Sequence, residues 1–377
     1  MPAVEPGHHH LLWRETGVPQ KRSVAENPKR GLVGHAGPPS WAPVDTRSSA
    51  GERASSMRFI LIITAVLALA FGGWWVWGSR AVDARLADLT QELREAGWRV
   101  EYETEGTGGF PYRFDLDLRD LELVSPDGAF GWQSPRMRVV AQSYQPNRLI
   151  VAADETHRVS IPGQDLDIAV TGPRASGAVE IGETLPVREF TFEAADLRVA
   201  SSLGWESGAG ALLAALRPNG GVNGYDAYAR LDEVALPEAW RALDPSGALP
   251  ATIARAEIDA DLTYDAPLAL SGGAARLERV ALDRFAIDWG AVSVAGDGRL
   301  DIDAQGRPSG ELVFEITGWE RLLDLAAQAG VPVAQSSLLR GALGGMAEDG
   351  VLTAPIAFED GAMRLGFIPL GEAPRLR

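Results

Sequence analysis

Residues 112–123 read YRFDLDLRDLEL, and the way that stretch is read decides the fold of the whole chain. Tyr112, Phe114, Leu116 and Leu118 alternate with Arg113, Asp115, Asp117 and Arg119. A period of two puts successive side chains on opposite sides of an extended chain, so the stretch predicts a strand with one apolar and one charged face. The period then breaks, because Leu118, Leu121 and Leu123 fall at i, i+3 and i+5. Neither a helix nor a regular strand gives that spacing. A strand with one extra residue does, since a bulge resets the face taken by the side chains that follow it.

Working outward, the alternation recurs in Leu166-Ile168-Val170, Phe190-Phe192, Ile258-Ala260-Leu262-Tyr264, Val292-Val294, Leu300-Ile302 and Leu312-Phe314-Ile316. The bulge cadence recurs from Ala194, Leu231, Leu277 and Leu282. Turn chemistry separates the runs at 125–128, 145–147, 162–163, 171–173, 297–298 and 305–308. The expected fold class is mainly β with a few helices: a long curled antiparallel sheet, forming a groove or an open sandwich. Helices are expected only at about 208–216, 237–243 and 319–329, with a second helix or loop reaching Met346.

Upstream, residues 59–77 read FILIITAVLALAFGGWWVW without one charge, about 28 Å as a helix, which matches a hydrocarbon core. Phe59, Leu61, Ile62, Val66, Leu67 and Phe71 supply its apolar surface, and Trp74, Trp75 and Trp77 suit the interfacial aromatic belt. The organisation expected is a disordered leader over 1–56 with a natural start at Met57, a transmembrane signal anchor over 57–78, an amphipathic helix over 79–97 and a β-rich body over 98–377. Ala68-Leu69-Ala70 offers the rival reading of a cleaved signal peptide. The arginines tie as a guide to orientation, with Arg47, Arg53 and Arg58 before the span and Arg80, Arg85 and Arg94 after it.

Composition narrows the chemistry. The chain has 377 residues, no cysteine, and 51 acidic against 35 basic side chains, a net charge of −16, which argues against a nucleic-acid partner. Of five histidines only His157 lies beyond the leader, so zinc sites and Cys nucleophiles are not expected, nor is any cofactor. Asp-x-Asp occurs as Asp115/Asp117, Asp165/Asp167, Asp259/Asp261 and Asp301/Asp303. Such pairs lie about 7 Å apart on one strand face, a conceivable Ca²⁺ or glycosidase arrangement, and equally the solvated side of an amphipathic strand. No catalytic residue and no enzyme activity are expected.

The apolar side is the informative one, because a sheet must bury it against another sheet, helices or a ligand. Phe114, Leu116, Leu118, Phe190, Phe192, Ile258, Leu262, Phe314 and Ile316 are the candidate groove residues for a lipid or another amphiphile. The alternative is a structural or protein-interaction module of the envelope with no lipid ligand.

Gly109-Phe110-Pro111-Tyr112-Arg113-Phe114, Trp132-x-x-Pro135 and Tyr144-x-Pro146-Asn147 resemble the bacterial membrane-anchored family DUF 2125, over about residues 57–375. Residues 291–325, with Gly296-Asp-Gly-Arg-Leu-Asp-Ile-Asp and a helix from Trp319, also look like the AsmA-like periplasmic proteins. Those resemblances imply a single pass through the bacterial inner membrane, a body in the periplasm and a part in envelope lipid handling. The partners implied are the bilayer, a lipid or amphiphile, and an envelope protein.

Overall fold

The computed structural model describes residues 49–180, 184–244, 247–269, 275–330, 336–366 and 368–376. Residues 1–48 of the expected leader lie outside that set. The chain divides into two units, residues 1–61 and residues 62–377. In the first, the described residues 49–61 are helical. In the second, helix α1 (Ser49–Glu95) runs on to Glu95 without a break, so the anchor and the amphipathic segment are one element. It ends where Gly97, at φ 88°, takes the left-handed conformation. Gly97 N–H donates to Arg94 O and Trp98 N–H to Leu93 O, the paired bonds of a glycine C-cap.

Among the described residues, seventeen strands follow in one antiparallel meander. They are β1 (Arg99–Glu103), β2 (Arg113–Val124), β3 (Gly131–Gln142), β4 (Gln145–Ala153), β5 (Thr156–Ile161), β6 (Gln164–Val179), β7 (Val187–Ser201), β8 (Glu206–Pro218) and β9 (Gly224–Ala235). After the short helix α2 (Glu238–Ala242) come β10 (Thr252–Tyr264), β11 (Leu277–Trp289), β12 (Val292–Ile302) and β13 (Pro308–Thr317). Helices α3 (Trp319–Gln328) and α4 (Ser337–Met346) precede β14 (Ala347–Glu348), β15 (Val351–Glu359), β16 (Ala362–Leu365) and β17 (Ile368–Glu372). Each strand pairs with its neighbours in the chain, with two variations. Strands β4 and β5 lie end to end between β3 and β6, and β15 pairs with β13 on one side and with β14 and β16 on the other. Among the described residues β1 pairs only with β2 and β17 only with β16, so no pairing closes the sheet.

Three local expectations are corrected. Residues 208–216, read as a helix, are the middle of β8; GAGALLAALR is rich in helix formers, but strands pair along both of its edges and override propensity. Gly172-Pro173 is an irregularity inside β6, not a turn. Asp297-Gly298 also lies within one strand, β12; a Cβ at Gly298 would stand 2.3 Å from Glu311 O, so glycine lets two backbones approach there. Helices α2, α3 and α4 lie where the sequence places them.

The bulge cadence is real backbone geometry. Asp120, Asp196 and Glu233 sit at its third residue with φ of 46°, 48° and 54°. Register shifts mark it at Asp120 toward β1, at Asp196 toward β6, and twice in β11 toward β10. The irregularities also line up across the sheet. Asp120 stands opposite Pro135, the β4–β5 break opposite 170–173 of β6, and Asp196 opposite Gly210, which is opposite Glu233. A proline that cannot donate to a ladder is tolerated where the pairing is already interrupted. The transverse seam therefore lets many strands change face at one level without losing register.

Three buried clusters lie toward the C-terminal end, all drawn from residues 236–376. Trp319, Leu323, Leu343, Leu352 and Ala354 join α3 and α4 to β15. Trp289, Val292 and Leu325 form the second, and Leu300, Ile302 and Phe358 the third. Asp196→Val should destabilise the body by about 1–2 kcal/mol, because a β-branched residue resists the left-handed region, whereas Asp196→Gly should be nearly neutral. Denaturant unfolding of both variants checks this; equal effects would remove the backbone from the explanation.

Candidate functional site

Cross-strand pairing places side chains on shared faces, so the register can be followed from strand to strand. One row runs Phe114, Ala141, Leu149, Gly177, Phe190, Leu216, Ala227, Ala260, Leu282, Gly298, Leu312, Ile356. The next runs Leu116, Val139, Val151, Ala175, Phe192, Ala214, Ala229, Ile258, Phe285, Gly296, Phe314, Ala354. A third begins Leu118, Met137, Ala153, is interrupted at the seam, and resumes as Ala194, Leu212, Leu231, Ala256, Ile287, Val294, Ile316, Leu352. Leu262 stands in a shorter row between Tyr225 and Val280. All nine candidate groove residues thus share one face, and none of these rows contains a charged or polar-chain residue except Tyr225.

Among the described residues helices cover the face only at its ends, although in the middle Tyr225, Ala260 and Leu282 are buried. On β2, Phe114, Leu116 and Leu118 are buried, and a Cβ on Gly78 of α1 would lie 2.5 Å from the Phe114 ring, so the helix crosses this strand closely. Along α1, Ser79 and Thr90 are buried; Thr90 Oγ1 lies 3.0 Å from the Tyr102 hydroxyl, and Asp83 accepts from Thr107 N–H at 2.9 Å. At the other end Phe314 and Ile316 lie under α3 and α4. Phe314 also meets Phe285 edge-on at 5.8 Å across Gly296, where a Cβ would strike the Phe314 ring. Between these ends Leu149, Val151, Phe192, Leu212, Leu216, Leu231 and Leu262 are only half-buried, and Phe190 and Ile258 are 40% and 41% exposed. No described helix lies on this central stretch.

The opposite face is charged and partly neutralised by its own pairs. Arg136 donates two hydrogen bonds to Asp117, at 2.7 and 2.6 Å, and holds that carboxyl below the usual range. Arg158 pairs with Asp167, Arg174 with Glu193, Arg217 with Asp226 and Arg279 with Asp301. Of the Asp-x-Asp residues, Asp117, Asp167 and Asp301 are therefore strand-face carboxylates held in cross-strand ion pairs, and Asp115 pairs with Arg113 of its own strand. Asp261 lies opposite Asp226; burial, together with a hydrogen bond that only its protonated carboxyl can donate to Asp226, raises its pKa. Among the described residues no cluster of His and carboxylates is placed to hold a metal ion.

Beside the seam two cavities open, lined by charged as well as apolar side chains, with Asp167 in both. A cavity of about 750 Å³ is lined by His157, Ile168, Leu197, Val199, Leu236 and Arg241 among others, and a second of about 450 Å³ by Leu121, Ser134, Pro135 and the same His157. His157 is half-buried in β5, paired opposite Ile168, with its ring 6.0 Å from that of Trp132. No sequence signal marked these cavities, because the residues that form them come from many strands far apart in the chain.

The anchor residues Phe59, Leu61, Ile62, Val66 and Leu67 expose 58–65% of their surface, and Phe71, Trp74 and Trp77 37%, 44% and 63%. The described residues include one helix long and apolar enough to cross a membrane, beginning at Phe59, with none of its apolar window buried.

With this geometry in place, comparison with known proteins gives one family. The chain belongs to the family described as "Uncharacterized protein conserved in bacteria (DUF2125)", which matches residues 75–374. No curated protein and no solved structure matches it.

His157 provides a test of the half-buried wall. Burial lowers its pKa, outweighing the opposing influence of Asp154, so the unfolded chain takes up a proton more readily than the folded one. The stability it contributes is present above the ordinary imidazole value near 6.5 and is lost as pH falls below it. Denaturant unfolding at pH 7.5 and pH 5 should show a larger loss for the wild type than for His157→Phe; an equal loss would place His157 in solvent.

Proposed function

We propose that this DUF2125 protein is held in the bacterial inner membrane by α1, with its β-rich body in the periplasm, and binds lipid or another amphiphile on the open apolar face in envelope lipid handling. The observation that carries the reading is the uncovered middle of the three rows. Soluble surfaces rarely leave a contiguous apolar area of such extent without a partner for it. An acyl chain needs apolar contact along its length and no specific polar partner, which rows of Ala, Val, Leu, Ile and Phe supply. The resemblance to AsmA-like proteins points the same way. The body acts by binding, not catalysis: the Asp-x-Asp carboxylates stand on the far face, where Asp115, Asp117, Asp167 and Asp301 are engaged by arginines.

The body is strongly acidic, so anionic head groups are repelled from its charged face and an acyl chain is taken up on the apolar one. A second reading, an envelope interaction module without a lipid, is favoured by β17, an edge strand with one neighbour and mostly exposed residues.

Lipid extraction and mass spectrometry of the purified full chain test the proposal. Phe190 and Ile258 are exposed in the unliganded fold, so Phe190→Asp with Ile258→Asp should leave the unfolding transition in place. The same variant should cut copurified lipid at least about tenfold, equivalent to about 1.4 kcal/mol of binding. A wild-type preparation free of lipid, with one protein recovered by crosslinking, would establish the second reading instead.

A further inference from the structure

We infer that the body touches the bilayer through a second element besides α1: an aromatic collar, formed by loop 109–112 and the turn at Tyr144, that sits in the lipid interface around the end of the membrane span.

The argument starts from length. The charge-free run begins at Phe59, directly after Arg58, so a hydrocarbon core cannot reach further toward the N-terminus at low cost. Filling a core of about 30 Å from Phe59 takes about 19–20 residues, which carries it to Trp77. The body, however, already grips the helix inside that run. A Cβ on Gly72 would lie 3.9 Å from the ring of Phe110. Trp75 packs its ring edge-on against Phe110 at 5.3 Å and donates from Nε1 to Arg113 O at 2.7 Å. Trp74 donates to Ser143 O at 3.3 Å, and Ser143 is fully buried, its hydroxyl bonded to Pro111 O and its N–H to Tyr112 O. Residues 72–78 therefore serve two environments at once. A bilayer that covers the span also reaches the two loops.

The exposed side chains at this level have the matching chemistry. Phe110, Tyr112 and Tyr144 are 61%, 70% and 65% exposed, next to Trp77 at 63%. Aromatic rings with a polar edge are favoured at the level of the head groups. Arg80 lies one turn beyond Trp77, and Arg113 and Arg148 flank the loops, with Asp115 and Glu189 as their carboxylate partners. These guanidinium groups stand where lipid phosphates would lie, although the chain as a whole is acidic. The inference rests on α1 spanning a bilayer and is independent of any lipid on the sheet face.

The chain has no cysteine, so single cysteines can report depth. The full-length protein, carrying Phe110→Cys, Tyr144→Cys, Leu67→Cys or Val222→Cys with an environment-sensitive fluorophore, is reconstituted in vesicles of phosphatidylethanolamine and phosphatidylglycerol. Val222, 87% exposed between β8 and β9, is the aqueous control and Leu67 the control for the span. Spin-labelled lipids should quench the labels at 110 and 144 several-fold more than the label at 222, and comparably to that at 67. Quenching at 67 with aqueous iodide access at 110 and 144 equal to that at 222 would overturn the collar and leave the anchor standing. Absence of lipid quenching at 67 would overturn both.

Discussion

Register is the constraint on which the rest of this structure depends. In a sheet a slip of one residue sends every following side chain to the opposite face. Here two rows hold apolar residues from β2 to β15, so one uncompensated slip anywhere would carry charges into the apolar face of every later strand. The irregular positions are the compensation. Asp120, Asp196 and Glu233 each let a strand resume with its leucine or valine on the apolar side, and the seam they share with Pro135 and Gly210 keeps adjacent strands changing together.

The two faces contribute to stability differently. The ion pairs of the charged face are largely exposed, and each is worth little in water, on the order of 0–1 kcal/mol. What they supply is a cross-strand pattern of opposite signs that disfavours shifted pairing. The buried apolar clusters gather at the C-terminal end, and α1 seals β1 and β2, while the central strands rely on backbone pairing and a half-buried face. That stretch is the part of the body whose stability gains most from an added apolar ligand, since a ligand that binds only the folded state adds its binding free energy to folding.

Much of this was legible in the sequence where polarity alternates. Strand β2 declares both its period and its bulge, and the nine groove residues proposed from alternation alone share one face. Legibility failed where both faces are alike. Leu212, Ala214 and Leu216 face the rows while Leu213 and Ala215 face away, so β8 has no polar period and its Ala-Leu content suggested a helix. Gly298 suggested a turn because local chemistry does not reveal that a neighbouring backbone needs the space. The loop carrying Phe110 and Tyr112 was readable as a motif, but its contact with α1 joins residues some forty positions apart, which no periodicity encodes.

Phe114 connects these observations. It begins the first apolar row, and it also lies under Gly78 with its ring stacked on Trp75 at 6.0 Å. One side chain therefore belongs both to the joint between helix and body and to the face proposed to bind lipid. A glycine at 78 is what permits this, since any larger residue would push the helix away from the strand. The helix is consequently no flexible tether to the body: residues 72–90 are fixed on β1, β2, the loop between them and the β3–β4 turn by ring contacts, backbone acceptors, the Thr90–Tyr102 contact and the Asp83–Thr107 bonds. If the span lies in a bilayer, the first row of the apolar face starts at the membrane surface, and an acyl chain leaving the bilayer there would cross no charged residue before reaching Phe190.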